Sequence, residues 1–331
     1  MFSKFDKKND LIINYFKKIN CEYKKVHSYS KEQKIDYLQQ IYSSHMQSYP
    51  FHNFELRATS QLHPLYRNRL TLNNMDSFIE GCNGGFCFQS SEVFYSALRN
   101  SGFDTYRSIA KILNGLAPDS PEAKKIPATH LILIVDIEND KYLIDPSMGM
   151  NGCCSPFLIP KSAEIYQQNN QSFKIEKIED DYLFYRKTNE QWSISLCSTF
   201  SPANQTTILT QLTKLSYYPL ALGIRDLITL VGIATPNGGK CLLWNPKTKL
   251  FTLKTICTQK GDKEESFDDI DTAYELLCNV FRIEHINKLQ FKEYCGLTKW
   301  PKAKNLFFVN LPLDKREIES LKENLESRSG L

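Results

Sequence analysis

The chain has 331 residues, 41% of them hydrophobic and 24% charged. That is enough apolar material for a sizeable core, and the length fits about two domains of roughly 100–200 residues or three smaller ones. The net charge of +4 is small and the lysines are spread along the chain, which excludes the basic footprint of a nucleic-acid-binding protein. No apolar run approaches the ~20 residues of a membrane helix. The opening MFSKFDKKNDLIINYF has no apolar stretch followed by a small-residue cleavage site, so neither a membrane span nor a signal peptide is predicted.

The first eighty residues read as helical. Leu11, Ile12, Tyr15, Phe16 and Ile19 recur at helical spacing, and Ser30 with Gln33 makes a capping box ahead of the stripe Ile35, Leu38, Ile41 and Tyr42. YPFHNFEL (49–56) reads as an irregular connector, and Met75 to Glu80 as a third short helix. A further helix is predicted from about Phe86 to Gly102, with Phe94, Ala97 and Leu98 as its buried stripe and Gly102 as its left-handed stop.

Strand patterns follow: 106–113, HLILIVDI (130–137) and KYLIDPS (141–147), the last two joined by a tight turn at 138–140. Segments 172–178, 181–187 and 192–198 continue the series, which suggests an antiparallel barrel or sandwich. A short helix near Ile208 to Leu215, a hairpin over 227–234 and 240–246 and a helix from Asp271 to Phe281 come next. A strand at 306–310 and a helix capped by Asp314 complete the pattern. The chain therefore reads as helices, then a β unit, then a mixed α/β end.

Within this order, NGGFCFQSS places Cys87 at the first turn of a helix, behind Gly84 and Gly85. A thiol there meets unpaired backbone N–H groups at the positive end of the helix dipole, which favours the reactive thiolate. The glycines allow a tight turn and leave room for a substrate beside the sulfur. A nucleophile of this kind needs a base and an orienting acceptor. His130 opens one strand of the hairpin and Asp145 closes the other. A turn at 138–140 sets His130 level with Met148, three residues from Asp145, so a bulge or slip is needed to bring the two together. On the residues alone, an ordinary strand-edge histidine is the simpler reading.

Taken together, NGGFC, the helix ending in SGF and THLILIVDIENDKYLIDPSMG resemble the arylamine N-acetyltransferase family. Pro50-Phe51-His52-Asn53 looks like the family's upstream Pro-Phe-Glu-Asn motif, and Ala234-Thr235-Pro236-Asn237-Gly238 like its later hairpin tip. The likeness covers roughly residues 5–285. It implies an α+β fold: a helical bundle (1–104) carrying the nucleophile, an antiparallel β-barrel (105–202) carrying His and Asp, and an α/β lid (203–331), with a core like that of cysteine proteases.

It implies a Cys87–His130–Asp145 triad, acetyl-CoA or another acyl-CoA as co-substrate, and ping-pong transfer to an arylamine, hydrazine or other small amine. Ser147, Met148 and Gly149 match the loop beside the acyl and CoA site, where backbone N–H groups receive phosphate or oxyanion charge. Phe51, Phe86 and Phe88 are placed to flank an aromatic acceptor. Asn83, Ser91, Pro146, Ser147, Met148 and His52 depart from the family pattern.

Two other readings stay open: a hydrolase or transamidase using the same triad, and a catalytically retired scaffold that binds a partner. The ten cysteines fit no zinc spacing and predict reduced thiols in a cytoplasm-like compartment, with no metal. The tail IESLKENLESRSGL resembles the translocation tails of some bacterial effectors, a solvated helix being the plainer reading.

Overall fold

The computed structural model describes residues 4–60, 78–79, 84–148, 154–160, 164–168, 171–188, 190–217, 225, 228–257 and 261–298. Helices α1 (Lys4–Lys18) and α2 (Lys31–Ser48) open the chain. Ile12, Tyr15, Phe16 and Ile19 of the first stripe are buried, as are Leu38, Ile41 and Tyr42 of the second. The capping box at the start of α2 is complete: Gln33 N–H donates to Ser30 Oγ at 3.3 Å, and Ser30 N–H to Gln33 Oε1 at 2.9 Å. Such caps stabilise a helix by about 1 kcal/mol.

The 49–56 segment is more ordered than its sequence suggests. It contains a two-residue strand, β1 (Phe51–His52), and the start of α3 (Phe54–Ser60). Helix α4 (Cys87–Ser101) then runs to Gly102, whose φ of 93° is the left-handed stop that glycine adopts without strain. The third short helix expected at 75–80 lies mostly outside the described residues, as do the strand at 306–310 and the helix after Asp314.

An eight-stranded antiparallel sheet follows, in the order β5-β4-β3-β2-β9-β8-β7-β6. Its strands are β2 (Asp104–Ile112), β3 (His130–Ile137), β4 (Asp140–Ile144), β5 (Phe157–Leu158), β6 (Glu164–Gln168), β7 (Gln171–Ile178), β8 (Asp181–Thr188) and β9 (Gln191–Ser198). A short helix, α5 (Pro121–Lys125), joins β2 to β3. The sheet is a nearly closed barrel. Its two edges approach where Tyr166 Oη donates to the Leu158 carbonyl at 2.8 Å.

Strand β3 is apolar on both faces because both are covered. Ile132 and Ile134 join Leu143, Phe157, Phe173 and Phe184 in one cluster, while Leu133 and Val135 pack with Phe94, Ala97 and Leu98 of α4 in another. Helix α4, which begins at Cys87, therefore lies against the barrel strand that begins at His130.

After α6 (Gln205–Tyr217) come β10 (Thr229–Thr235), β11 (Gly238–Asn245), β12 (Leu250–Cys257) and β13 (Lys263–Phe267), then α7 (Ile270–Asn279) and α8 (Lys288–Tyr294). These strands form a second antiparallel sheet, order β1-β10-β11-β12-β13. The N-terminal strand β1 is thus part of the C-terminal sheet: Phe51 pairs with Gly232 and His52 with Val231.

Candidate active site

The turn before Cys87 is built by backbone contact. Gly85 N–H donates to the Pro50 carbonyl at 3.1 Å, and His52 N–H to the Gly85 carbonyl at 3.1 Å. Gly84 has φ +65°, and a Cβ there would lie 1.8 Å from the Pro50 oxygen; at Gly85 it would lie 2.4 Å from Gln89 Oε1. The expectation that the glycines leave room for substrate is therefore corrected: the space is filled by Pro50 and Gln89. Phe86 N–H donates to Gln89 Oε1 at 3.3 Å, closing the first turn of α4 with Cys87 at its head. The sulfur-bearing residue is 7% exposed.

His130 and Asp145 meet without a bulge. The hairpin loop is two residues, Glu138 and Asn139, both at positive φ (51° and 73°), the conformation of a tight primed turn. Ile137 pairs with Asp140 and Leu133 with Ile144. Continuing that register sets His130 level with Ser147, two residues from Asp145, so the pair shares one face as diagonal neighbours. His130 Nε2 donates to Asp145 Oδ2 at 2.6 Å. The second oxygen, Oδ1, accepts from Ser147 N–H at 3.0 Å and from Ser147 Oγ at 2.6 Å.

The electrostatics follow from this geometry. Burial disfavours the charged imidazole, but the Asp145 carboxylate, hydrogen-bonded to the ring, and the neighbouring Cys87 sulfur outweigh it and raise the His130 pKa well above its ordinary value. With Nε2 on Asp145, Nδ1 is the nitrogen left for Cys87. Burial acts against the Asp145 charge as well; the ring's charge and hydrogen bond, with the two Ser147 donors, reverse it and hold the carboxyl below its usual range. The arrangement favours an imidazolium between a carboxylate and a sulfur. Such a group can hold a thiol deprotonated and return the proton to a leaving group.

A second layer escaped the sequence reading. Tyr42 Oη donates to the Asp145 carbonyl at 2.8 Å, and Ser90 Oγ to the Pro146 carbonyl at 3.4 Å. Behind Ser90 lies His45, fully buried, its Nε2 3.0 Å from Ser90 Oγ and its Nδ1 2.8 Å from Tyr15 Oη. Because the Ser90 proton is used on Pro146, His45 Nε2–H donates to Ser90 and Tyr15 donates to Nδ1. Burial pushes the His45 pKa down to about 3, so the ring is neutral. These groups tie the loop after β4 to α2 and α4. The signal was the buried spacing Leu38, Tyr42, His45 along α2, where His45 occupies a core position.

Other expected site residues are placed differently. Both Ser147 donors serve Asp145, and Met148 N–H donates to the Asp145 carbonyl at 3.1 Å. Both backbone N–H groups are engaged with Asp145 in this structure; Gly149 lies outside the described residues. Phe51, Phe86 and Phe88 share one apolar cluster with Cys87, but Phe86 and Phe88 are 1% and 0% exposed. They pack in the apolar cluster beside the sulfur. Ser91 Oγ donates to the Leu131 carbonyl at 2.8 Å, fastening α4 to β3. Asn83, Cys82 and Cys153 lie outside the described residues.

A family model described as N-acetyltransferase matches residues 34–289, most of the chain. The chain belongs to the arylamine N-acetyltransferase family. A probable arylamine N-acetyltransferase 2 of Dictyostelium discoideum is 25% identical over 168 residues, 51% of this chain and 51% of the relative, so that match spans about half of either protein. An arylamine N-acetyltransferase / N-hydroxyarylamine O-acetyltransferase of Salmonella typhimurium is 20% identical over 268 residues, 81% of this chain and 86% of the relative. The solved structure of the Mycobacterium marinum arylamine N-acetyltransferase in complex with CoA superposes with a TM-score of 0.70 at 14% identity, covering 87% of this chain and 100% of that one. The family membership and the α+β fold inferred from the motifs both hold.

Proposed function

We propose that this arylamine N-acetyltransferase homologue moves an acetyl group from acetyl-CoA to an arylamine, hydrazine or related small amine through a thioester on Cys87. The observation that carries this reading is one buried imidazole holding the Asp145 carboxylate at 2.6 Å on Nε2 while its other side meets the Cys87 sulfur. The thioester end of the co-substrate fits this donor set, which offers a nucleophile and a proton source. The backbone N–H groups of residues 147 and 148 are engaged with Asp145.

In the first half-reaction the Cys87 thiolate attacks the thioester carbonyl, and the C–S bond to CoA breaks as His130 gives its proton to the departing thiolate. In the second, the amine attacks the Cys87 acetyl group, His130 takes the amine's proton, and the Cys87 sulfur leaves. Asp145 keeps the ring oriented and stabilises its positive charge throughout. Cys87, His130 and Asp145 are the catalytic residues of this proposal.

The eight described cysteines are all free, which supports a cytoplasmic setting. Among the described residues, no helix is long and apolar enough to cross a membrane. The test is intact mass after mixing with acetyl-CoA alone: one acetyl group on wild type and none on Cys87→Ser. An unmodified wild-type protein that nonetheless binds CoA overturns the reading.

A further inference from the structure

A cavity of about 220 Å³ lies beside the first turn of α4. Its walls are aromatic: Phe54, Phe78 and Tyr294 line it, with His52 stacked on Phe54 at 4.6 Å and Tyr294 stacked on the same ring at 5.1 Å. One carboxylate, Glu55, lies among them. Among the described residues, no lysine or arginine lines the cavity and no cation pairs with Glu55. Its hydrogen bond comes from a neutral amide, Gln89 Nε2 at 2.8 Å. His285 also lines the cavity; partial desolvation of its ring lowers its pKa, which favours the neutral form over a counter-charge.

Burial raises the Glu55 pKa, the Gln89 hydrogen bond opposing it only in part, so the charged carboxylate gains from a cation beside it; burial, then the charges of Glu55 and Glu293, push the Tyr294 hydroxyl up to about 12. A partly buried acid without a positive partner is costly, and electron-rich ring faces around it attract a cation as well.

We propose that this cavity binds a small organic cation, an ammonium group on an apolar body, with Glu55 as its counter-ion and the rings of Phe54, Phe78 and Tyr294 around it. The site is separate from the Cys87–His130–Asp145 cluster. It is linked to that cluster by one side chain, because Gln89 donates to Glu55 with one end of its amide and accepts from Phe86 N–H with the other. An occupant is therefore in contact with the group that sets the turn before Cys87.

The experiment is calorimetric titration of the full chain with benzylammonium, and separately with its neutral counterpart benzyl alcohol, each with and without saturating CoA. The expected result is one benzylammonium per chain, at least tenfold weaker binding of the alcohol, and no competition by CoA. Glu55→Gln, nearly isosteric, is expected to weaken benzylammonium at least tenfold while leaving the alcohol unchanged. Equal binding of the two probes, displacement by CoA, or no benzylammonium bound at millimolar concentration overturns the proposal. The probe comparison on wild type stands even if the variant fails to fold, and none of these results depends on acetyl transfer.

Discussion

Ser147 grips the Asp145 carboxylate twice through Oδ1, by its hydroxyl at 2.6 Å and its N–H at 3.0 Å, on the side away from His130. The residue that by resemblance belonged to the acyl and CoA loop is, in the structure, the clamp that orients the acid. Removing the hydroxyl in Ser147→Ala takes away one hydrogen bond to a charged group, about 1.5–3 kcal/mol. We expect kcat/KM to fall roughly 10- to 100-fold, with the KM for acetyl-CoA unchanged. Steady-state kinetics with varied acetyl-CoA decide it, since a cofactor contact would show instead as a raised KM.

Asp145→Asn keeps the shape and removes the charge that raises the His130 pKa. Acetylation of Cys87, followed by rapid-quench mass spectrometry, should slow by about 10³- to 10⁴-fold, the scale seen when the acid of a triad is neutralised. An unchanged rate would assign the acid a purely structural part.

The pH dependence of stability has a definite sign on each side. The His130 pKa is raised in the folded chain above its ordinary 6.5. Its contribution is complete below that value and is lost as pH climbs through the raised one. Thermal unfolding of wild type should therefore weaken between neutral and alkaline pH, and His130→Gln should flatten that limb.

His45 acts at the other end. Its pKa is depressed from 6.5 to about 3, so the unfolded chain takes up a proton that the folded chain refuses. Stability should decline as pH falls from about 6.5, by up to ~1.4 kcal/mol per pH unit. Asp145, held below its ordinary 3.8, adds a loss at more acid pH. Urea unfolding across pH 4–7 should show a shallower decline for His45→Gln than for wild type, whatever the variant's absolute stability.

Gly84→Ala forces a side chain into the left-handed region and onto the Pro50 carbonyl. The conformation alone costs about 1–3 kcal/mol, and the clash adds to it. We expect a lower urea midpoint together with a changed rate of Cys87 alkylation, because the same turn carries both.

Much of this was legible in the chain because helices and caps are local. The stripe through Tyr15 and Phe16, the Ser30–Gln33 box and the Gly102 stop all lie where their spacing put them. The hairpin was legible to within one residue, and that residue mattered. A three-residue turn leaves His130 and Asp145 on opposite faces; the two-residue turn at Glu138 and Asn139 puts them on the same one. A one-residue slip inverts a strand's faces, and turn length is the least certain part of a strand pattern.

Strand β13 was missed because its sequence, KEESF, is almost wholly solvent-facing and carries no alternation. His45 and Glu55 were missed for the opposite reason. Their significance comes from what surrounds them in space, and neither spacing nor residue type records a neighbour such as Ser90 or Gln89.

The strip Pro50–His52 is held from both sides. One edge bonds to β10, the other bridges to Gly85 just ahead of Cys87. The distal half of the polypeptide is therefore no detachable cover. It is the foundation on which the Cys87 thiol is mounted, and a fragment ending before residue 229 would lose the bearing surface that aims that thiol at the His130 imidazole.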